Sequence, residues 1–255
     1  MKDSNIPIIC ESEAWQIAHS FATDSASILG DHFVAAVAVG SLPTGGYVPG
    51  RSDVDLIIIA KNDCPDSLLP EIKRKAKKYW DIYKFKKGFG GYAVRQGDLY
   101  TADGKFHDLA FEILQLKRQG RVIAGDLDLE AIPGPSTEHM RQSLIGLVGD
   151  IYGGWNREYS PPIDSQDARV NQILYWIRIF VWDRTGTYYL KKRDTLGAFE
   201  ELPEAKVISE ELDSVQSYVN LGANLPGEVD SVCRELESFV VNHVSWVRDA
   251  VSDTQ

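Results

Sequence analysis

The sequence predicts an N-terminal α/β domain followed by a C-terminal domain built of helices alone. Three observations carry this reading. Two short, nearly unbroken apolar runs, Phe33–Val39 and Val54–Ala60, are rich in the β-branched residues of buried strands. The segments flanking them carry apolar side chains at helical spacing. After Pro133-Gly134-Pro135 the pattern stays helical with no convincing strand, which divides the chain into domains spanning 1–132 and 133–255.

The elements follow in order. Residues 11–30 place Trp15, Ile17, Ala18, Phe21, Ala22, Ile28 and Leu29 at helical spacing and stop at Gly30, a residue type that commonly closes a helix. The two apolar runs are separated by a glycine-rich loop, Gly40 to Ser52. A helix over Asp66–Lys84 is opened by Pro65-Asp66 and is amphipathic through Leu68, Leu69, Ile72, Ala76, Tyr79 and Trp80. A third strand is expected at Tyr92–Val94, and a helix over Lys105–Gln119 ends at Gly120. Beyond the Pro-Gly-Pro linker, helices are expected over 141–152, 167–184, 190–201, 209–221 and 228–251.

Composition narrows the function classes. With 44% hydrophobic and 25% charged residues the chain has the balance of a globular protein rather than a disordered or fibrous one. A formal charge of −10 repels phosphate backbones and anionic membranes, so neither nucleic acid nor membrane is an expected partner, and it attracts cationic small molecules. The eight lysines and arginines between 73 and 87, set against one acid, Asp81, read as a solvated helix face. Cys10, Cys64 and Cys233 are far apart and match no metal spacing, which suits a reducing compartment. The start carries no apolar signal region, and no apolar run approaches the ~18 residues of a membrane span. The expectation is a cytoplasmic protein, monomeric or weakly dimeric.

The chemistry lies in one stretch: Val39-Gly40-Ser41, eleven loop residues, then Asp53-Val54-Asp55-Leu56. On a strand, residues two apart share a face at about 6.6 Å, so Asp53 and Asp55 project together. Two carboxylates on one face repel unless a cation lies between them. Oxygen ligands of this kind suit magnesium, which takes one or two carboxylates and fills its shell with water and substrate phosphates. Gly40 and Ser41 offer main-chain donors and a hydroxyl with no bulk to block a triphosphate. Together these parts describe metal-assisted nucleotidyl or phosphoryl transfer.

This pattern, an apolar residue, Gly and Ser, then about 9–13 residues and Asp-x-Asp, resembles the nucleotidyltransferase superfamily with the polymerase-β-like catalytic domain. Further on, Asp108-Leu-Ala, Arg118 and Val122-Ile-Ala-Gly125 resemble the helix and glycine turn of aminoglycoside adenylyltransferases of the streptomycin/spectinomycin type. Asn171, Arg178, Thr185-Gly186 and Lys191 resemble the helical-domain motif of that family. The resemblance spans roughly 35–220. It implies a small mixed sheet in the first domain, a helical bundle closing an active-site cleft, and antibiotic modification. The implied reaction is AMP transfer from ATP, as co-substrate, to a hydroxyl of a cationic small-molecule acceptor, with magnesium as cofactor.

Residue by residue, the resemblance implies that Asp53 and Asp55 hold the metal while Gly40, Ser41 and Ser52 contact the nucleoside triphosphate. It implies that Asp108 and Tyr218 lie beside the nucleotide and that Arg178 and Lys191 steady the triphosphate. Trp155, Asp164 and Asp167 are candidates for the acceptor, as ring face and carboxylates toward a sugar or cation. The chain departs from the family in one place. The family carries a third carboxylate on the next strand, acting as general base toward the acceptor hydroxyl, and residues 89–95 contain no acid. Asp98, Asp108 and Glu112 are the nearest replacements. The alternatives left open are a different acceptor and a catalytically silent nucleotide-binding relative.

Overall fold

The two apolar runs form adjacent antiparallel strands, β1 (Phe33–Val39) and β2 (Val54–Ala60), with Val39 opposite Asp55. The structure, a computed structural model, describes residues 8–85, 88–99, 110–152, 166–207, 212, 213, 215–217, 219 and 229–252. The chain divides into two units, Met1–Met140 and Arg141–Gln255.

In the first unit, α1 (Glu11–Leu29) leads into β1, and α2 (Leu69–Tyr83) connects β2 to β3 (Phe89–Arg95). β3 runs parallel to β2, which requires such a crossover, with Val54 beside Phe89 and Asp55 beside Gly90. Then follow α3 (Ala110–Gln119) and β4 (Arg121–Gly125), which pairs antiparallel with β1. The sheet is mixed, in the order β3-β2-β1-β4.

Strand alternation sorts the side chains onto two faces. Ala36, Val54, Leu56, Ile58 and Phe89 pack with Phe21, Ala22 and Leu29 of α1 and Ile72, Ala76 and Tyr79 of α2. Ala35, Val37, Val39, Ile57, Ile59 and Val94 pack on the other face with Ile113 and Leu116 of α3. Asp53 and Asp55 have the parity of Ile57 and Ile59, so the fold aims them at the α3 side.

Several details differ from the sequence expectation: the strand expected at Tyr92–Val94 spans Phe89–Arg95, since its two glycines pair in the ladder, and the helix expected from 141 begins at Thr137. The helix expected from Asp66 begins at Leu69, because 65–68 forms a turn in which Leu68 N donates to Pro65 O at 3.0 Å, and Pro70 then takes the first helical turn, where a missing N–H is tolerated. Val122-Ile-Ala-Gly125 lies in the edge strand β4 (Arg121–Gly125) rather than in a turn. Its five residues are mostly half-exposed, so it shows neither an apolar run nor clean alternation. The helix expected over 228–251 is broken at Val244 into α7 (Val229–His243) and α8 (Ser245–Ser252). The break is held by Arg248, whose Nη2 donates to the Asn242 carbonyl at 2.9 Å, and by Trp246, whose indole N–H reaches Asp183 Oδ1 at 2.8 Å.

The described part of the second unit comprises helices and short turns: α4 (Thr137–Tyr152, entered from the first unit), α5 (Gln166–Thr185), α6 (Lys192–Glu200), α7 and α8. Buried residues lie all round α5, from Val170 to Trp182, as expected of a central helix. Its Phe180 meets Phe199 and Phe239 at ring distances of 5.8 and 4.9 Å. The expected helix at 209–221 lies largely outside the described residues. Among the described residues no helix is long and apolar enough to cross a membrane.

Candidate functional site

The antiparallel pairing of β1 and β2 brings the end of one strand against the start of the other, and the Asp55 carboxylate is built into that junction. Gly40, just past β1, has φ +77°, and a β-carbon there would stand 2.9 Å from Asp55 Oδ2. Gly90, beside Asp55 on β3, leaves still less room, since its β-carbon would lie 2.3 Å from Asp55 Oδ1. Asp55 therefore occupies a slot cleared by one glycine on each side. Gln115 Nε2 of α3 is 3.8 Å from the same position above Gly40. Asp53 sits one residue before β2 and is half-buried.

The loop between the strands is tied by two small hydrogen-bonded turns. Thr44 Oγ1 donates to the carbonyls of Gly40 and Ser41, both at 3.1 Å, and Gly46 N donates to Ser41 O at 3.0 Å. In the second turn Ser52 N donates to Val48 O while Ser52 Oγ accepts from Val48 N, both at 2.9 Å. Tyr47 pins the loop to the chain before α1 through Ile9 O at 3.2 Å. Ser41 Oγ is buried and has no hydrogen-bond partner among the described residues. An orphaned hydroxyl beside a glycine turn fits a ligand oxygen.

Burial, and then the charges of Asp53 and Glu112, hold the Asp55 carboxyl well above the usual carboxylate range. Glu112 lies on α3 and accepts a hydrogen bond from the Tyr92 hydroxyl of β3. Burial and the Glu112 charge push the Tyr92 phenol well up, so it remains a donor at ordinary pH. A site with this much negative charge favours a cation. Among the described residues no group of three or more His, Cys, Asp or Glu is arranged to hold a metal, so a cation taken by Asp53 and Asp55 would complete its shell from water and substrate oxygens. The residues present fit a hard divalent cation such as magnesium.

Asp98, another candidate base, lies past the far end of β3, where its carboxylate accepts from Arg95 N at 3.2 Å. Arg95 is five residues along the strand from Gly90, about 16 Å. Asp98 is thus a turn residue remote from Asp55. Asp108, Tyr218, Trp155 and Asp164 lie outside the described residues, and of Asp167 only the backbone, in α5, is described.

In the second unit the Arg178 and Lys191 segments meet. Thr185-Gly186 closes α5: Gly186, at φ +69°, donates to Trp182 O at 2.8 Å, and Thr187 N donates to Thr185 Oγ1 at 3.1 Å. The chain then returns along α5. Arg178 Nη2 donates to Leu190 O at 2.7 Å and Nε to Thr195 Oγ1 at 3.4 Å, while Tyr175 and Tyr188 place rings 5.6 and 5.7 Å from the guanidinium. Lys192 Nζ reaches Asn171 Oδ1 at 3.0 Å. Lys191, just before α6, has an exposed side chain.

The sequence reading did not single out Gly90, Tyr92 or Gln115. The available signal is the Gly90-Gly91 pair just before the strand expected at Tyr92–Val94.

No protein-family model and no curated protein sequence matches this chain. A solved structure does: the spectinomycin adenyltransferase AAD(9) from Enterococcus faecialis, with ATP and spectinomycin, at a TM-score of 0.62 and 16% identity, covering 90% of this chain and 98% of that one. The likeness shows the fold, an α/β unit with a mixed sheet followed by a helical region.

Proposed function

We propose that this chain is a magnesium-dependent nucleotidyltransferase that transfers AMP from ATP to a hydroxyl of a cationic, aminoglycoside-like small molecule and releases pyrophosphate. One observation carries the reading: the Asp55 carboxylate lies in a slot cleared by Gly40 and Gly90, with Asp53 two residues away and the unpartnered Ser41 hydroxyl at the adjoining turn. Magnesium, when bound, would neutralise the triphosphate and favour attack at its α-phosphorus.

The chain supplies the rest. Gly40, Ser41 and Ser52 are assigned to phosphate oxygens and Asp108 and Tyr218 to the nucleotide. Arg178 and Lys191 are assigned to the leaving pyrophosphate, and Trp155, Asp164 and Asp167 to the acceptor. The acceptor oxygen forms a bond to the α-phosphorus, the bond to the bridging oxygen of the β-phosphate breaks, and the hydroxyl proton passes to a base. The ATP and spectinomycin bound by the similar enzyme support the choice of co-substrate and first acceptor, and the charge of −10 supports a cationic acceptor. Antibiotic resistance by a cytoplasmic enzyme follows from the same proposal.

The test is mass spectrometry of wild-type protein with magnesium, ATP and a panel that includes spectinomycin and streptomycin. An adenylyl adduct that disappears in Asp53→Asn is the expected result. Magnesium-dependent ATP binding with no adduct on any acceptor favours the second reading, a silent nucleotide-binding relative. That reading is supported by the absence of an acid in β3.

A further inference from the structure

Transfer to a hydroxyl leaves a proton to be placed, and the strand beside Asp55 has no group to take it. On the α3 side of the sheet β3 presents Gly90, Tyr92 and Val94, of which none is an acid. Gly90 admits no larger side chain while Asp55 keeps its place, because a β-carbon there would overlap Asp55 Oδ1. A carboxylate must therefore come from a different element.

Such a carboxylate is present on α3. Ile113 and Leu116 dock that helix on the face that carries Asp55, and Glu112 is half-buried there. Its charge acts on Asp55 and its carboxylate accepts the Tyr92 hydroxyl from β3. Tyr92 lies two residues beyond Gly90 with the same parity, so the strand that lacks the acid supplies the group that holds it.

We infer that Glu112, carried on α3 and positioned by Tyr92, accepts the proton of the attacking hydroxyl as the acceptor oxygen bonds to the α-phosphorus and pyrophosphate departs. This rests on the transfer reaction proposed above. Glu112 is then the catalytic acid–base group, and Tyr92 is a positioning residue that acts through it.

The experiment measures pyrophosphate release, with spectinomycin, with streptomycin and with water as sole acceptor, alongside calorimetric binding of magnesium-ATP. Wild type, Glu112→Gln, Glu112→Asp, Tyr92→Phe and Asp108→Asn are compared. Glu112→Gln keeps an acceptor for the Tyr92 hydroxyl, so it folds. The expected result is a fall in kcat of about 10²–10⁴-fold with the ATP KM and Kd within about threefold of wild type. Glu112→Asp recovers part of the rate, and Tyr92→Phe lowers kcat without raising the ATP KM. A smaller fall in Glu112→Gln, a loss of ATP binding comparable to Asp53→Asn, or a base-type loss in Asp108→Asn alone overturns the inference and leaves the transfer reaction standing. Magnesium-ATP binding without pyrophosphate release in wild type overturns the inference and the transfer. Neither binding nor release overturns the nucleotide site as well.

Discussion

Asp55 and Gly90 share one space: the aspartate carboxylate fills the position where a side chain on Gly90 would begin, 2.3 Å from Oδ1. The next residue, Gly91, faces the opposite side of the sheet, where a β-carbon would meet Phe21 at 2.7 Å and Ala76 at 2.9 Å. Two adjacent glycines thus serve the site and the core separately.

Alanine at each position should separate these roles. Gly90→Ala is expected to displace the carboxylate and lower transfer by at least about 100-fold, with a small change in Tm. Gly91→Ala overpacks the core against α1 and α2 and is expected to cost about 1–3 kcal/mol of stability. Thermal melts paired with pyrophosphate release measure both, and equal effects at the two positions would contradict the two-face arrangement.

The Asp55 carboxyl sets a pH dependence with a definite sign. Its folded-state pKa is raised, by burial first and then by Asp53 and Glu112, so the native chain holds this proton more tightly than the unfolded chain does. The resulting stabilisation is complete below the ordinary aspartate value of about 4 and is lost as pH rises through the folded-state value. In metal-free buffer Asp55→Asn should remove this decline. Magnesium with ATP should raise the Tm of wild type and not of the variant. A decline of the same size in Asp55→Asn would contradict the assignment of this pH dependence to Asp55.

Arg178 and Lys191 should part company in the same pair of assays. Arg178 braces the return of the chain onto α5 through the Leu190 carbonyl and Thr195, so Arg178→Ala is expected to lose about 1–3 kcal/mol of stability as well as activity. Lys191 is exposed, and Lys191→Ala should leave the Tm within about 1 °C while raising the KM for ATP. Melting curves and ATP titrations of the two variants check this.

Much of the first unit is legible in the sequence because its strands are buried on both faces. Phe33–Val39 and Val54–Ala60 are read to the residue, and the Asp-x-Asp parity follows from strand geometry alone. β4 escapes notice because it is a short, half-exposed edge strand defined by its pairing with β1. In the site, Gly40, Ser41, Asp53 and Asp55 are local in sequence and so can be recognised together. Glu112 can be named from the sequence only as one of several acids near the expected position, because its link to Asp55 depends on how α3 docks and on Tyr92 from another strand. The slot around Asp55 is less legible still, since glycine clearance is a property of three adjacent strands.

The proposed function stands on attack at the α-phosphorus of ATP at a site built on Asp53 and Asp55. Phosphorus NMR of the wild-type chain with magnesium, ATP and spectinomycin tests it most directly, because the products identify the bond that breaks. Pyrophosphate and a new phosphodiester resonance, no ADP, and loss of both signals in Asp53→Asn are expected. ADP with a phosphate monoester, or unchanged products in Asp53→Asn, would contradict it.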